Sequence, residues 1–254
     1  MKVHHSGNVH LKDTANSEYP WDEFDPYLYF QHNYGILRPD DREIIERVGK
    51  FFSGITDIYG AEGVDVGTGP NLYPALALLP LCRTITMVEY SRSNVEWLER
   101  EVKRYSPSWE PFWEVLAEHR KYQEVGDPRA ALARRAQVWK GSLFRLPPTR
   151  KWHVGTMFFV AESITGTQAE FVRALRAFMN ALRPTAPFAI AFMENSTGYK
   201  VGEHFFPAVK VDAGIVESKL EPYTDTLHVH HIDSDGLLRD GYSGMILAYG
   251  RLRK

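Results

Sequence analysis

Apolar positions along this chain follow two alternating periods. Ile44, Val48, Phe51 and Phe52 recur at i, i+4, i+7 and i+8, the buried face of a helix. Asp40, with Glu43 three residues on, has the capping-box spacing for its start. Gly63-Val-Asp-Val-Gly67 then reads as a short buried strand running into a glycine turn. The alternation continues with a helix over 71–79, a strand over 84–89, and a helix capped by Ser93 with Glu96 that carries Val95, Leu98 and Val102. A helical insert is expected over roughly 110–137, with Asp127-Pro128 as its cap and first-turn pair. A strand follows over 153–160. Thr167 with Glu170 opens a helix carrying Phe171, Leu175 and Phe178, and Arg183-Pro184 stops it. A strand over 188–193, a short helix over 212–220 and two strands, 226–232 and 242–250, close the chain.

Strands alternating with helices predict an α/β fold with a mostly parallel sheet and helices on both faces. The two last strands have no helix between them, so they predict an antiparallel pair at one edge. Met1 to Asn16 is polar and carries three of the ten histidines. It reads as part of a flexible N-terminus over 1–18, and 19–254 as a single domain with no repeat or linker. An aromatic cluster, including Tyr19, Trp21, Phe24 and Tyr27, opens that domain.

Composition narrows the function. Of 254 residues 44% are hydrophobic, enough for a full core, and 13% are aromatic, which suits an aromatic-lined pocket. The net charge of -2 offers no cationic surface for nucleic acid. One cysteine, Cys82, excludes intrachain disulfides and cysteine-cluster metal sites. No run approaches the ~20 apolar residues of a membrane span, and no signal peptide is present. The expectation is a cytoplasmic protein, a monomer, acting on a small molecule without nucleic acid or membrane.

The chemistry concentrates in Val64-Asp-Val-Gly-Thr-Gly-Pro70, with Glu89 at the end of the next strand. A turn between strand and helix lets a ligand touch backbone only where glycine leaves space. An acid about 20 residues later, on the adjacent strand, suits a ribose diol. A dinucleotide site wants a third small residue where Leu72 stands, Pro70 removes an amide that a pyrophosphate would use, and no Walker lysine is near. The turn therefore fits a nucleoside without phosphates. S-adenosylmethionine is such a ligand.

Three segments carry a family resemblance. Tyr29-Phe-Gln-His-Asn-Tyr34, Asp65-Val-Gly-Thr-Gly-Pro-Asn-Leu-Tyr73 and Val88-Glu-Tyr-Ser-Arg-Ser-Asn94 together resemble the nicotinamide/phenylethanolamine/thioether N- and S-methyltransferases. The resemblance implies a Rossmann-like, seven-stranded, mostly parallel sheet with an antiparallel edge strand. It also implies an N-terminal helical lid over 19–38 and a helical insert over about 106–138. By the same resemblance, Gly67, Thr68 and Gly69 cradle S-adenosylmethionine and Glu89 holds its ribose. Tyr90 and Asn94 sit near the adenosine, and Tyr73, Tyr29 and Tyr34 join Thr68 at the methionine end. An Asp that the family places beside the adenine is absent here, so Ser142 and Leu143 are expected in its place.

Ligands of open α/β sheets lie beyond the carboxyl ends of the strands. Two acids stand at such ends, Glu162 and Glu194, and either can hold an amine and accept its proton. Glu194 also matches an acid of the resembled family, and Tyr199 an aromatic wall of its acceptor pocket. Trp21, Phe30, Asp240 and Tyr242 complete the expected acceptor side. His228 and His230 share a strand face, but with no further ligand at metal spacing they read as structural. The reading is methyl transfer from S-adenosylmethionine to a small molecule, most simply the nitrogen of an aromatic or indolic amine. Carbon or sulfur acceptors, a non-catalytic nucleoside-binding protein and an NAD-dependent oxidoreductase are the alternatives.

Overall fold

Strand Pro187–Glu194 (β5) shows how the molecule is layered. Phe188, Ile190 and Phe192 enter one hydrophobic cluster, and the alternating Ala189, Ala191 and Met193 enter another on the opposite face. A strand apolar from Pro187 through Met193 must be covered on both sides. The computed structural model describes residues 15–234, 238 and 241–254, and Asp240 lies outside them.

The main sheet has seven strands in the order β3-β2-β1-β4-β5-β9-β8. They are β1 (Ala61–Val66), β2 (Cys82–Glu89), β3 (Ala136–Lys140), β4 (Val154–Phe158), β5, β8 (Thr224–Ile232) and β9 (Gly244–Leu252). The first five are parallel. The closing pair lies at one edge, and its inner strand, β9, is the one that runs against both neighbours. A separate hairpin, β6 (Gly198–Val201) and β7 (His204–Pro207), projects from the end of β5.

One face is covered by α2 (Pro39–Ser53), α3 (Tyr73–Leu78), α4 (Arg92–Arg104), α5 (Glu110–Leu116), α6 (Arg120–Gln123) and α7 (Pro128–Arg135). The other is covered by α8 (Gln168–Ala181) and α9 (Ala213–Leu220). Helix α1 (Pro26–Tyr34) belongs to the N-terminal segment. Among the described residues no helix is long and apolar enough to cross a membrane.

Local signals placed most boundaries well. Asp127 caps α7, Thr167 caps α8 and Asp212 caps α9, each accepting a backbone amide. Two expected caps shift. Ser91, not Ser93, caps α4, because the Ser93 hydroxyl donates to the Phe24 carbonyl at 2.6 Å. Helix α2 starts at Pro39 without a side-chain cap, because Asp40 is turned toward partners elsewhere. The expected insert ends in strand β3, whose half-exposed edge position lacks an apolar run. The N-terminus is held earlier than expected. The Asn16 amide donates to Glu170 at 2.9 Å, its side chain donates to the Ile164 carbonyl at 2.7 Å, and its carbonyl accepts from Trp21.

The β8–β9 pairing demands a bare backbone at Gly250, where a Cβ would collide with the Thr226 carbonyl. Gly250→Ala should lower unfolding free energy by about 1–3 kcal/mol, the range for overpacking. Urea denaturation checks this, and an unchanged midpoint would refute the close approach.

Candidate active site

Strands β1 and β2 end side by side, and their chain continuations build one wall of a cavity. Gly67 and Gly69 take positive φ, 66° and 56°, which turns the chain sharply. The Gly67 amide donates back to the Val88 carbonyl at 2.7 Å. The Gly69 amide donates to Glu89 Oε2 at 2.8 Å, and the Ser91 amide to Glu89 Oε1 at 2.7 Å. Glu89 thus joins the turn to the N-terminus of α4. Burial pushes its carboxyl up, while the Ser91 and Gly69 amides draw it back toward the charged form. Beneath the turn, Asp65 accepts from the Thr156 hydroxyl at 2.7 Å. Its buried Oδ2 has no partner, and burial pushes the group up to about 7.

The cavity holds about 790 Å³ of space, its open mouth included. Turn 67–71, segments 88–90, 141–144 and 158–160, and Asn94 form its base. Trp21, Phe24, Tyr29 and Tyr34 cover it from the N-terminal segment, and Tyr199 from hairpin β6–β7. The two covers clasp each other through Phe206. Trp21 stacks on it at 4.9 Å and Tyr199 at 5.6 Å, and Phe24 tilts against it at 5.1 Å. Tyr29 meets both Tyr34 and Tyr199 edge-on at 6.1 Å. The cover is also pinned to α4, whose first amide, from Arg92, donates to Asp22 at 2.7 Å.

The electrostatics of the lining are simple. Glu89 is the one charged side chain among the described lining residues, and aromatic and small groups make up most of the rest. Such a wall disfavours phosphate and favours a neutral or cationic ligand. A Cβ at Gly67 would stand 2.6 Å from the Val160 side chain, so the turn is a cradle only glycine permits. Asn94 lines the same wall, and its buried Oδ1 has no protein partner. These residues fit a nucleoside: a carboxylate with lone pairs to spare, a bare turn, and the Leu143 face beside Ser142.

Most of the expected cofactor residues meet here: Tyr29, Tyr34, Gly67, Thr68, Gly69, Glu89, Tyr90, Asn94, Ser142 and Leu143, together with Trp21 and Tyr199. Ser142 also caps the short turn after it by accepting the Phe144 amide. Five others are placed differently. Tyr73 is buried behind Tyr34, where its hydroxyl donates to Asp41 at 3.0 Å. Phe30 packs into the core against Trp97 and Trp109. Tyr242 is buried and donates to Asp40. Glu162 is fully buried and accepts from the Ser163 hydroxyl and the Met193 amide, so it braces the chain. Glu194 accepts from Ser243 at 2.7 Å and lies 3.1 Å from His231, outside the cavity lining. His228 and His230 pack on Tyr249.

Several lining residues are not among those expected at the site: Asn16, Phe24, Asn71, Phe158, Phe159 and Val160. Phe159 takes a positive φ of 60° directly after β4, a costly conformation for an aromatic residue. That turn is what swings the 158–160 segment under the ligand space.

Comparison with known proteins supplies the family and the fold. The profile of the NNMT/PNMT/TEMT family matches residues 12–235. Nicotinamide N-methyltransferase of Homo sapiens is 23% identical over 207 residues, covering 77% of this chain and 78% of that protein. The N-methyltransferase NodS from Bradyrhizobium japonicum WM9, solved with S-adenosyl-L-homocysteine, superposes with a TM-score of 0.56 at 11% identity. That match covers 91% of this chain and 100% of NodS. The glycopeptide N-methyltransferase MtfA, also solved with S-adenosyl-L-homocysteine, gives 0.53 at 10% identity over 83% of this chain and 90% of its own. At such identities these two structures show a shared fold.

Gly67→Ala should cost about 1–2 kcal/mol for the left-handed backbone alone, and more for the contact with Val160. Adding Val160→Ala should recover the contact part but not the backbone part. Chemical denaturation of the single and double variants separates the two, and a Gly67→Ala protein as stable as wild type would contradict the turn geometry.

Proposed function

Because the chain belongs to the NNMT/PNMT/TEMT family, we propose that its aromatic cavity takes S-adenosylmethionine together with a small aromatic or indolic amine, and that methyl goes to the amine nitrogen. The protein is a methyltransferase with S-adenosylmethionine as donor. The observation that carries the finer reading is the cavity wall: many rings, one carboxylate, and no basic side chain among the described lining residues.

The bound donor supplies an electrophilic methyl group on a positively charged sulfur. The chain's own residues do the rest. Glu89, held by two amides, keeps lone pairs for the ribose hydroxyls. Tyr29 and Tyr34 line the cavity with the turn, and a cation over either ring would gain about 0.5–2 kcal/mol. Trp21, Phe24 and Tyr199 cover part of the cavity, which limits water at the reacting centre. The same rings offer a flat acceptor an apolar slot.

Glu162 and Glu194 are both engaged away from the cavity. The acceptor therefore enters as the free base, with its lone pair available, and sheds its proton to solvent after transfer. Holding two reactants in line is the enzyme's main contribution. Turnover should rise with pH until the acceptor is deprotonated.

Two measurements test this reading. Glu89→Ala should weaken binding of S-adenosylhomocysteine by about 1.5–3 kcal/mol, the range for a charged hydrogen bond. Titration calorimetry reads it, and unchanged affinity in a folded variant would remove Glu89 from the site. Separately, mass spectrometry of reactions with aromatic, indolic and aliphatic amines and with thioethers should show N-methylated aromatic amines as the main products. Glu194→Gln should turn over within about threefold of wild type, as expected where proximity carries the rate. Methylation confined to thioethers or to carbon, or a Glu194→Gln protein without turnover, would replace this account.

A further inference from the structure

Tyr73 and Tyr242 come from distant parts of the chain, and neither lines the cavity. Their hydroxyls converge on adjacent carboxylates at the start of α2. Tyr73, the first residue of α3, donates to Asp41 Oδ1 at 3.0 Å. Tyr242, just before β9, donates to Asp40 Oδ2 at 3.2 Å, and Ser234, just after β8, donates to the same oxygen at 3.0 Å. Asp40 Oδ1 accepts the Asp41 amide at 2.9 Å and lies 3.5 Å from Arg38 Nε. Both acids are almost wholly buried, at 2% and 1% exposure.

Burying two adjacent carboxylates is expensive, and a core built only for stability would use apolar side chains. The charge is limited in one way: burial, and then the charge of Asp40, push the Asp41 carboxyl up to about 8. The Asp41 carboxyl is thereby held toward its neutral form, and Arg38 lies beside Asp40. What the arrangement gains is geometry. Tyr73 is packed edge-on against Tyr34, with ring centres 5.9 Å apart at 80°. Tyr34 is a wall of the cavity, at the end of α1. One hydrogen-bonded strut thus joins the helix that follows the glycine turn, the base of the N-terminal cover, and both ends of the segment between β8 and β9.

We propose that Asp40 and Asp41 are positioning residues for methyl transfer: through Tyr73 they hold Tyr34 against the cofactor cavity, and through Tyr242 and Ser234 they tie the β8–β9 segment to the base of the cover. The strut itself is a property of the ligand-free fold. Only its effect on cofactor affinity rests on the reading given above.

Hydrogen exchange of the ligand-free protein, followed by mass spectrometry, tests the strut directly. In Asp41→Leu, α1 should exchange about fivefold faster or more, while α8 on the opposite face keeps its wild-type protection. A general loss of packing would speed α8 as well, and that outcome overturns the proposal. Asp41→Asn keeps an oxygen for the Tyr73 hydroxyl and should stay within about twofold of wild type. Calorimetry with S-adenosylhomocysteine should show about tenfold weaker binding for Asp41→Leu and little change for Asp41→Asn. An Asp41→Leu protein with wild-type exchange in α1, or an Asp41→Asn protein as impaired as Asp41→Leu, overturns the proposal. Should Asp41→Leu not fold, Tyr73→Phe removes only the hydroxyl and carries the same expectations. Wild-type protein that binds no S-adenosylhomocysteine would defeat the cofactor reading, and the exchange data would still decide the strut.

Discussion

The site depends on one buried carboxylate that bridges two amides. Glu89 accepts from Gly69 on one side and from Ser91 on the other, so the turn after β1 and the helix after β2 are fixed to the same group. A charge at 6% exposure persists only where hydrogen bonds replace its lost water. Those two amides supply part of that replacement, and they also set the distance between the turn and α4. The cavity is the space this bridge holds open. Glu89 lines that cavity with its geometry already fixed by the two amides, which is what a preorganised site requires.

Around that bridge, the acids divide into two groups by the company they keep. Glu89 alone reaches the cavity lining among the described residues. Glu162 holds the Met193 amide, Glu194 holds Ser243 and His231, and Asp40 and Asp41 hold tyrosine hydroxyls. On the proposed reading, an acceptor is met by rings rather than by a base. In such a pocket, selectivity comes from shape, from flatness, and from the protonation state in which the acceptor arrives.

The cover obeys the same logic. It is one aromatic cluster built from two segments about 180 residues apart, and Phe206 is the ring both share. Neither the N-terminal segment nor the short hairpin has a core of its own, and each gains its burial from the other. The opening of one therefore weakens the other. Asn16 and Asp22 anchor the first segment to α8 and α4, so the cover is tied to the elements that carry the sheet.

Much of this was legible in the sequence because it rests on local spacing. The glycine turn, the acid 20 residues beyond Gly69, the capping residues at Asp127 and Thr167, and the alternating strand and helix periods are all short-range signals. They determined the sheet, most of the residues that meet in one cavity at its strand ends, and the donor that suits it. Strand β3 escaped notice because an edge strand needs no apolar run, and hairpin β6–β7 because its apolar face exists only against Trp21 and Phe24. The tertiary structure alone decided where side chains point and what they meet. Tyr73 follows the turn as a ligand residue would, yet Asp41 captures its hydroxyl from 32 positions away. Phe30 shares a helix with Tyr29 and Tyr34 but faces Trp97 and Trp109 instead of the cavity. Glu162 and Glu194 stand at strand ends, as catalytic acids would, and are claimed by partners 31 and 49 positions away. A sequence states which groups are available at each strand end. Which of them stay free for a ligand depends on hydrogen bonds between distant segments, and those exist only once the chain has packed.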